Sequence, residues 1–174
     1  MGQEVLRGNV QACDDNHLAI HSGALLGRKG GGHAMDVVDM SGEWELVSSE
    51  NMDAFLKACG VGMIHRTMAA RVSPTVYIKQ SGMDSFEITT STRFRDQKLC
   101  FTVDQAFRST IPWEDSEREM LARWEDGRLV IRVVGDVDGS EPVFARYLQG
   151  DQLVLAQSKK GIEAKRFFRK IVKT

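Results

Sequence analysis

The sequence predicts an all-β protein, an antiparallel up-and-down β-barrel of about ten strands with a helix-turn-helix lid. Three observations predict it. From Thr75 onward, short segments alternate polar and apolar residues with the period of two that a half-buried strand requires. Several of these segments are separated by turn dipeptides, namely Ser81-Gly82, Asp126-Gly127, Asp138-Gly139, Gly150-Asp151 and Lys160-Gly161. The helical spacing is concentrated in the stretch ahead of them, Gly42 to Pro74, GEWELVSSENMDAFLKACGVGMIHRTMAARVSP. So many short strands in hairpin succession close on one another rather than leave bare edges. A barrel of that strand number is too wide for its own side chains to fill, so it encloses a cavity.

In chain order, Met1 to Ala34 has no sustained period and carries the run GRKGGGH, so residues 1–34 read as a flexible N-terminal extension and residues 35–174 as the barrel domain. His17 and His21 stand four apart, but no third ligand lies near them, so no metal site is expected. The start MGQEVL has Gly2 but lacks the serine or threonine of a myristoylation site. Met35 and Met40 stand just ahead of the folded part as alternative starts.

Folded structure is expected from Val38. Glu43-Trp44-Glu45-Leu46 alternates as a strand, and Ser48 to Asn51 breaks the period. Asn51 offers an N-cap, and Met52, Phe55, Leu56 and Cys59 make one apolar helical stripe that ends at Gly60. A second short helix runs from Met63 to Ala70 and stops before Ser73-Pro74. Neither is long enough to be stable alone, so both must rest on the sheet. The strands then expected are Thr75–Gln80, Phe86–Thr92, Lys98–Val103, Ala106–Thr110, Glu119–Trp124, Arg128–Val134, Val143–Gln149, Gln152–Ser158 and Glu163–Val172.

Composition narrows the function classes. The chain of 174 residues is one domain's length, and 23 Lys+Arg against 24 Asp+Glu leave a formal net charge of -1, which gives no field to steer nucleic acid. Cys13, Cys59 and Cys100 are odd in number and widely spaced, so free thiols and a reducing compartment are expected. No apolar run approaches the roughly 20 residues of a membrane-spanning helix.

Two strands hold an arginine among large apolar residues. Phe144, Arg146 and Leu148 share one face of theirs; in the last strand Ala164, Arg166, Phe168 and Lys170 share one face, and Lys165, Phe167, Arg169 and Ile171 the other. Periodicity alone leaves open which face is inside.

From Val38 to Ile171 the chain resembles the intracellular lipid-binding proteins, which comprise fatty-acid-binding and cellular retinoid-binding proteins. GEWELVSSENMDAFLKACGVG carries the resemblance, with Met52 where phenylalanine or tyrosine is usual. The resemblance implies a ten-stranded, lipocalin-like barrel of the calycin type, with no cofactor. It implies that Arg146, Arg166 and the position of Phe168 form the ligand carboxylate site, Phe168 standing where a tyrosine often supplies a hydroxyl. It further implies that Met52, Leu56, Ala69, Pro74, Thr92, Phe94, Phe144, Leu155 and Gln157 line the cavity or its portal, with Phe94 as an aromatic gate.

The implied function is non-catalytic carriage of a long-chain fatty acid or a similar carboxylated lipid by a cytoplasmic monomer. The ending GIEAKRFFRK is similar to fatty-acid binders, and TSTRFRDQ and LARWEDGRL are similar to retinoic-acid carriers, which keeps a retinoid as the alternative ligand. Lys57, Arg66 and Arg71 on or beside the lid read either as a solvated face or as transient membrane contacts. Lys57 and Arg66 also match two of three basic residues that some relatives use for nuclear entry, with Thr67 in the third place. Two other classes stay open at this point: an enzyme acting on lipid, although no GxSxG is present, and a membrane-surface or protein-interaction module with a vestigial cavity.

Overall fold

The computed structural model describes residues 38–114 and 116–172. The expected extension, with His17, His21 and Cys13, lies outside the described residues. The elements follow in the order β1 (Gly42–Glu50), α1 (Met52–Ala58), α2 (Met63–Ala69), β2 (Thr75–Ser81), β3 (Ser85–Ser91), β4 (Asp96–Thr102), β5 (Ala106–Thr110), β6 (Glu117–Glu125), β7 (Arg128–Val133), β8 (Val143–Gln149), β9 (Gln152–Lys159) and β10 (Ile162–Lys170).

All ten strands form one sheet in the order β4-β3-β2-β1-β10-β9-β8-β7-β6-β5. Every ladder is antiparallel, and the chain's first and last strands pair with each other, as in Trp44 opposite Lys170. The two end strands, β4 and β5, face each other across a gap without a ladder. Side chains span it: Gln97 Nε2 donates to the Thr110 carbonyl at 3.1 Å, and Arg95 donates to the Pro112 carbonyl. The barrel is therefore nearly closed.

Turn chemistry fits the strand twist. Asp126-Gly127 has φ of 48° and 75°, and Lys160-Gly161 has 50° and 76°, the paired positive values that a two-residue hairpin of matching twist needs. Glycine suits the second position of each because it has no Cβ to clash there.

One end of the barrel is a packed core. Trp44, Val76, Ile78, Phe86, Ile88, Phe101, Leu129, Leu153 and Phe168 belong to one buried cluster, with Phe86 and Phe101 stacked at 5.4 Å. Met40 is fully buried in it ahead of β1; its amide donates to Gln80 Oε1 at 2.9 Å and its carbonyl accepts from Trp44 Nε1 at 3.0 Å. The period break expected at Ser48 is a bulge: β1 shifts register between Leu46 and Ser48, which turns Val47 outward and lets the strand run on to Glu50.

The lid departs from expectation at its start. Asn51 takes left-handed geometry with φ of 56° and makes no side-chain cap; its Nδ2 donates instead to the Glu163 carbonyl at 2.7 Å, tying the lid entrance to β10. Cys59 is a free thiol, whereas Cys100 is disulfide-bonded, so the expectation of free thiols fails at Cys100.

Candidate ligand cavity

The register of β7 to β10 builds the site in rows. Leu155 of β9 is opposite Arg146 on one side and Arg166 on the other, while Arg146 is also opposite Leu129 and Arg166 opposite Ser49. Arg146 and Arg166 thus stand two strand spacings apart, about 10 Å between backbones, close enough for two long side chains to converge on one group. One pleat toward the lid lies the row Ile131, Phe144, Gln157 and Ala164. Ala164 packs under Phe55 and Leu56 of α1, which fixes that row as the lid side. One pleat the other way lies the row Leu148, Leu153, Phe168 and Leu46.

Between the lid and the core is a cavity of about 810 Å³. Met52, Leu56, Ala69, Pro74, Thr92, Phe94, Phe144, Leu155 and Gln157 border it, together with Arg146 and Arg166. Phe168 does not; it is 1 % exposed and belongs to the core, in the row beyond the arginines. Phe94 is 59 % exposed at the cavity mouth, with the Arg93 guanidinium 4.6 Å above its ring. Sequence reasoning missed Trp113, which follows Pro112 in the β5–β6 turn where no periodicity marks a residue as inward. Its ring lies 6.1 Å from that of Phe144 and meets Phe55 of the lid edge-on at 5.4 Å.

The electrostatics of the cavity are unbalanced. Burial lowers Arg146 to about 10 and also lowers Arg166, so both guanidiniums remain charged at neutral pH in poorly solvated surroundings. Arg146 Nη1 and Arg166 Nε are buried without a hydrogen-bond partner, and neither residue forms an ion pair among the described residues. Glu114, a carboxylate at the cavity wall, is held by Arg118 at 2.8 Å. Cys59 also borders the cavity, and burial raises its thiol to about 11, which keeps it protonated and unreactive at neutral pH. The arrangement can hold an anion at the arginine row and bury an apolar chain against the surrounding wall.

The basic lid residues divide. Arg66 is turned inward, 16 % exposed, with Nε on Asp53 Oδ1 at 2.8 Å and Nη1 on the Val61 carbonyl at 2.8 Å, so it ties α2 to α1 and the intervening turn. Lys57 and Arg71 are exposed. Thr67 Oγ1 donates to the Met63 carbonyl at 3.0 Å. Arg66→Ala is therefore expected to cost about 1 kcal/mol, the size of a partly exposed charge-assisted bond. The loss should be concentrated in α2, measured as faster amide hydrogen exchange there with β2 to β10 unchanged.

The comparisons agree with this geometry. Residues 41–173 match the model of the lipocalin / cytosolic fatty-acid binding protein family. The chain is 49% identical over 72 residues to sodium/calcium exchanger regulatory protein 1 of Doryteuthis pealeii, a match covering 41% of this chain and about half, 54%, of that relative. It is 30% identical over 129 residues to fatty acid-binding protein 5 of Pygoscelis papua, covering 74% of this chain and 94% of the relative. Among solved structures it is similar to the REP1-NXSQ fatty acid transporter, with a TM-score of 0.68 and 28% identity over 78% of this chain and 98% of that one. With ten antiparallel strands, a two-helix lid and a family match over most of its length, this chain belongs to the lipocalin / cytosolic fatty-acid binding protein family.

Proposed function

We propose that this protein is a non-catalytic carrier of a long-chain fatty acid or a similar carboxylated lipid, held with its carboxylate between Arg146 and Arg166. The observation that carries the proposal is that Arg146 Nη1 and Arg166 Nε, on one cross-strand row of a largely apolar cavity, are buried without a hydrogen-bond partner. A buried charge without a partner is costly, and a ligand carboxylate supplies the missing acceptor in a geometry that suits arginine's planar fork. The volume of about 810 Å³ lies in the upper part of the range for small-molecule pockets. The tail contributes roughly 25 cal/mol for each Å² of apolar surface it removes from water. Affinity is thus assigned to the tail and head-group choice to the arginines.

Membership of a cytosolic binding family supports a cytoplasmic location, and the reading includes a protein that works as a monomer. Membrane contact is assigned to α2, which exposes Met63, Ile64 and Met68, with the exposed cations Lys57 and Arg71, which form no ion pair among the described residues; Arg66 is already engaged within the lid. Titration of oleate, retinoic acid and the neutral alcohol retinol into the wild type and Arg166→Gln tests the proposal. Both acids should bind the wild type, and the variant should lose about tenfold or more in affinity for them, as expected for a hydrogen bond to a charged group. Equal binding of acids and alcohol, unchanged by the substitution, would remove the arginines from the site.

A further inference from the structure

Four buried side-chain atoms among the described residues lack a hydrogen-bond partner: Arg146 Nη1, Arg166 Nε, Gln157 Oε1 and Trp113 Nε1. All four residues border the same cavity. The two guanidinium atoms face the carboxylate assigned above; the other two are left without an occupant. Gln157 is 5 % exposed, so its amide is withdrawn from bulk water and opens onto the cavity.

Trp113 and Gln157 have a common neighbour. Gln157 stands opposite Phe144 across the β8–β9 ladder, and the Trp113 ring lies 6.1 Å from the ring of Phe144. Gln157 therefore belongs to the row on the lid side of the arginines, one pleat or about 7 Å along the strands from Arg146 and Arg166, and Trp113 packs against that row through Phe144. A chain of several carbons spans that interval.

The two groups are complementary. An indole N–H only donates, and Gln157, with its amide set as it is here, presents its acceptor oxygen. A single small group that serves both atoms must accept from Trp113 and donate to Gln157, and a hydroxyl does so. A ketone or ether oxygen could accept from Trp113 and would leave the Gln157 oxygen unmet, and a methylene would leave both unmet. Sites built around buried polar groups discriminate strongly against analogues that lack the matching hydroxyl. We infer that Trp113 and Gln157 form a second polar subsite, and that the preferred ligand is a long-chain acid carrying a hydroxyl several carbons from its carboxylate.

This inference rests on the carrier reading for the position of the carboxylate. Trp113 also touches the lid through Phe55 at 5.4 Å, so a hydroxyl bound there fixes a ring that supports α1. An ordered water could meet the same two atoms, and it would confer no preference for a hydroxylated chain.

The test titrates the full chain with octadecanoate and with octadecanoates hydroxylated at successive carbons, in the wild type, Trp113→Phe and Gln157→Leu. Trp113→Phe keeps an aromatic ring between Phe55 and Phe144 but removes the donor; Gln157→Leu removes the amide and leaves an apolar side chain of similar size. In the wild type, one or two neighbouring isomers should bind about tenfold tighter than octadecanoate, the gain expected from two hydrogen bonds. Each substitution should reduce the ratio of hydroxyoctadecanoate to octadecanoate affinity to near unity, and that ratio is the readout because both residues also line the cavity that holds the tail. Tight octadecanoate binding with no isomer preferred would overturn the subsite and leave the carrier reading standing, as would a preference that survives both substitutions. Failure of every acid to bind the wild type would overturn the carrier reading and the subsite together.

Discussion

Arg146→Leu is expected to make the empty protein more stable and its hold on a carboxylated lipid weaker. Arg146 is 7 % exposed, its Nη1 has no partner, and burial alone lowers its guanidinium to about 10. Its ladder neighbours, Leu129 and Leu155, are apolar, so a leucine would sit among like residues. Replacing even a paired buried charge by well-packed apolar residues is often neutral or stabilising by about 1–4 kcal/mol, and Arg146 has no ion-pair partner among the described residues to lose. The same substitution removes a charge-assisted hydrogen bond to the ligand, worth about 1.5–3 kcal/mol, or roughly ten- to a hundredfold in affinity. Urea denaturation without ligand and calorimetric titration with oleate read the two effects separately. A variant that loses stability and keeps its affinity would mean that Arg146 serves the fold rather than the ligand.

Phe168→Ala is expected to give the opposite pattern. Phe168 is 1 % exposed, lies between Leu46 and Leu153 in the register, and shares the core cluster with Trp44 and Leu129. Truncation leaves a cavity in the packed end of the barrel, and such changes cost about 3–5 kcal/mol. Since Phe168 does not border the ligand cavity, the surviving folded fraction should bind a fatty acid within about threefold of the wild type, a difference below 1 kcal/mol. Denaturation midpoints and oleate titration in the same buffer check both. Phe168→Leu should cost less, because it refills part of the space.

The contrast between these two residues shows what could be read from the sequence. Both sit two positions from a neighbour of the other's kind in strands of clean alternation, so their inward faces could be paired but not oriented by periodicity. The ladders orient them: Arg146 and Arg166 share Leu155, while Phe168 falls one row deeper, beyond the reach of the cavity. Strand positions were legible because alternation and turn dipeptides are local signals; β5, the shortest and least certain of them by pattern, still falls at Ala106–Thr110. Trp113 and Met40 were not legible, since each acts from a segment without a period and takes its role only from partners distant in sequence. Trp113 meets the lid and β8, and Met40 meets Gln80 across forty positions. The engagement of Arg66 was hidden for the same reason: its charge is visible in the sequence, but the Asp53 carboxylate and Val61 carbonyl that hold it are set by the turn between α1 and α2.

A carboxylated lipid that completes the arginine row should accompany the protein through gentle purification, where native mass spectrometry followed by extraction and identification of the bound molecule will find it. One carboxylated lipid per chain is expected in the wild type, lost or strongly reduced in Arg166→Ala. A wild-type protein that carries no lipid and takes up neither oleate nor retinoic acid when these are supplied would contradict the carrier reading. The membrane-surface or protein-interaction reading would then have to explain the two buried arginines.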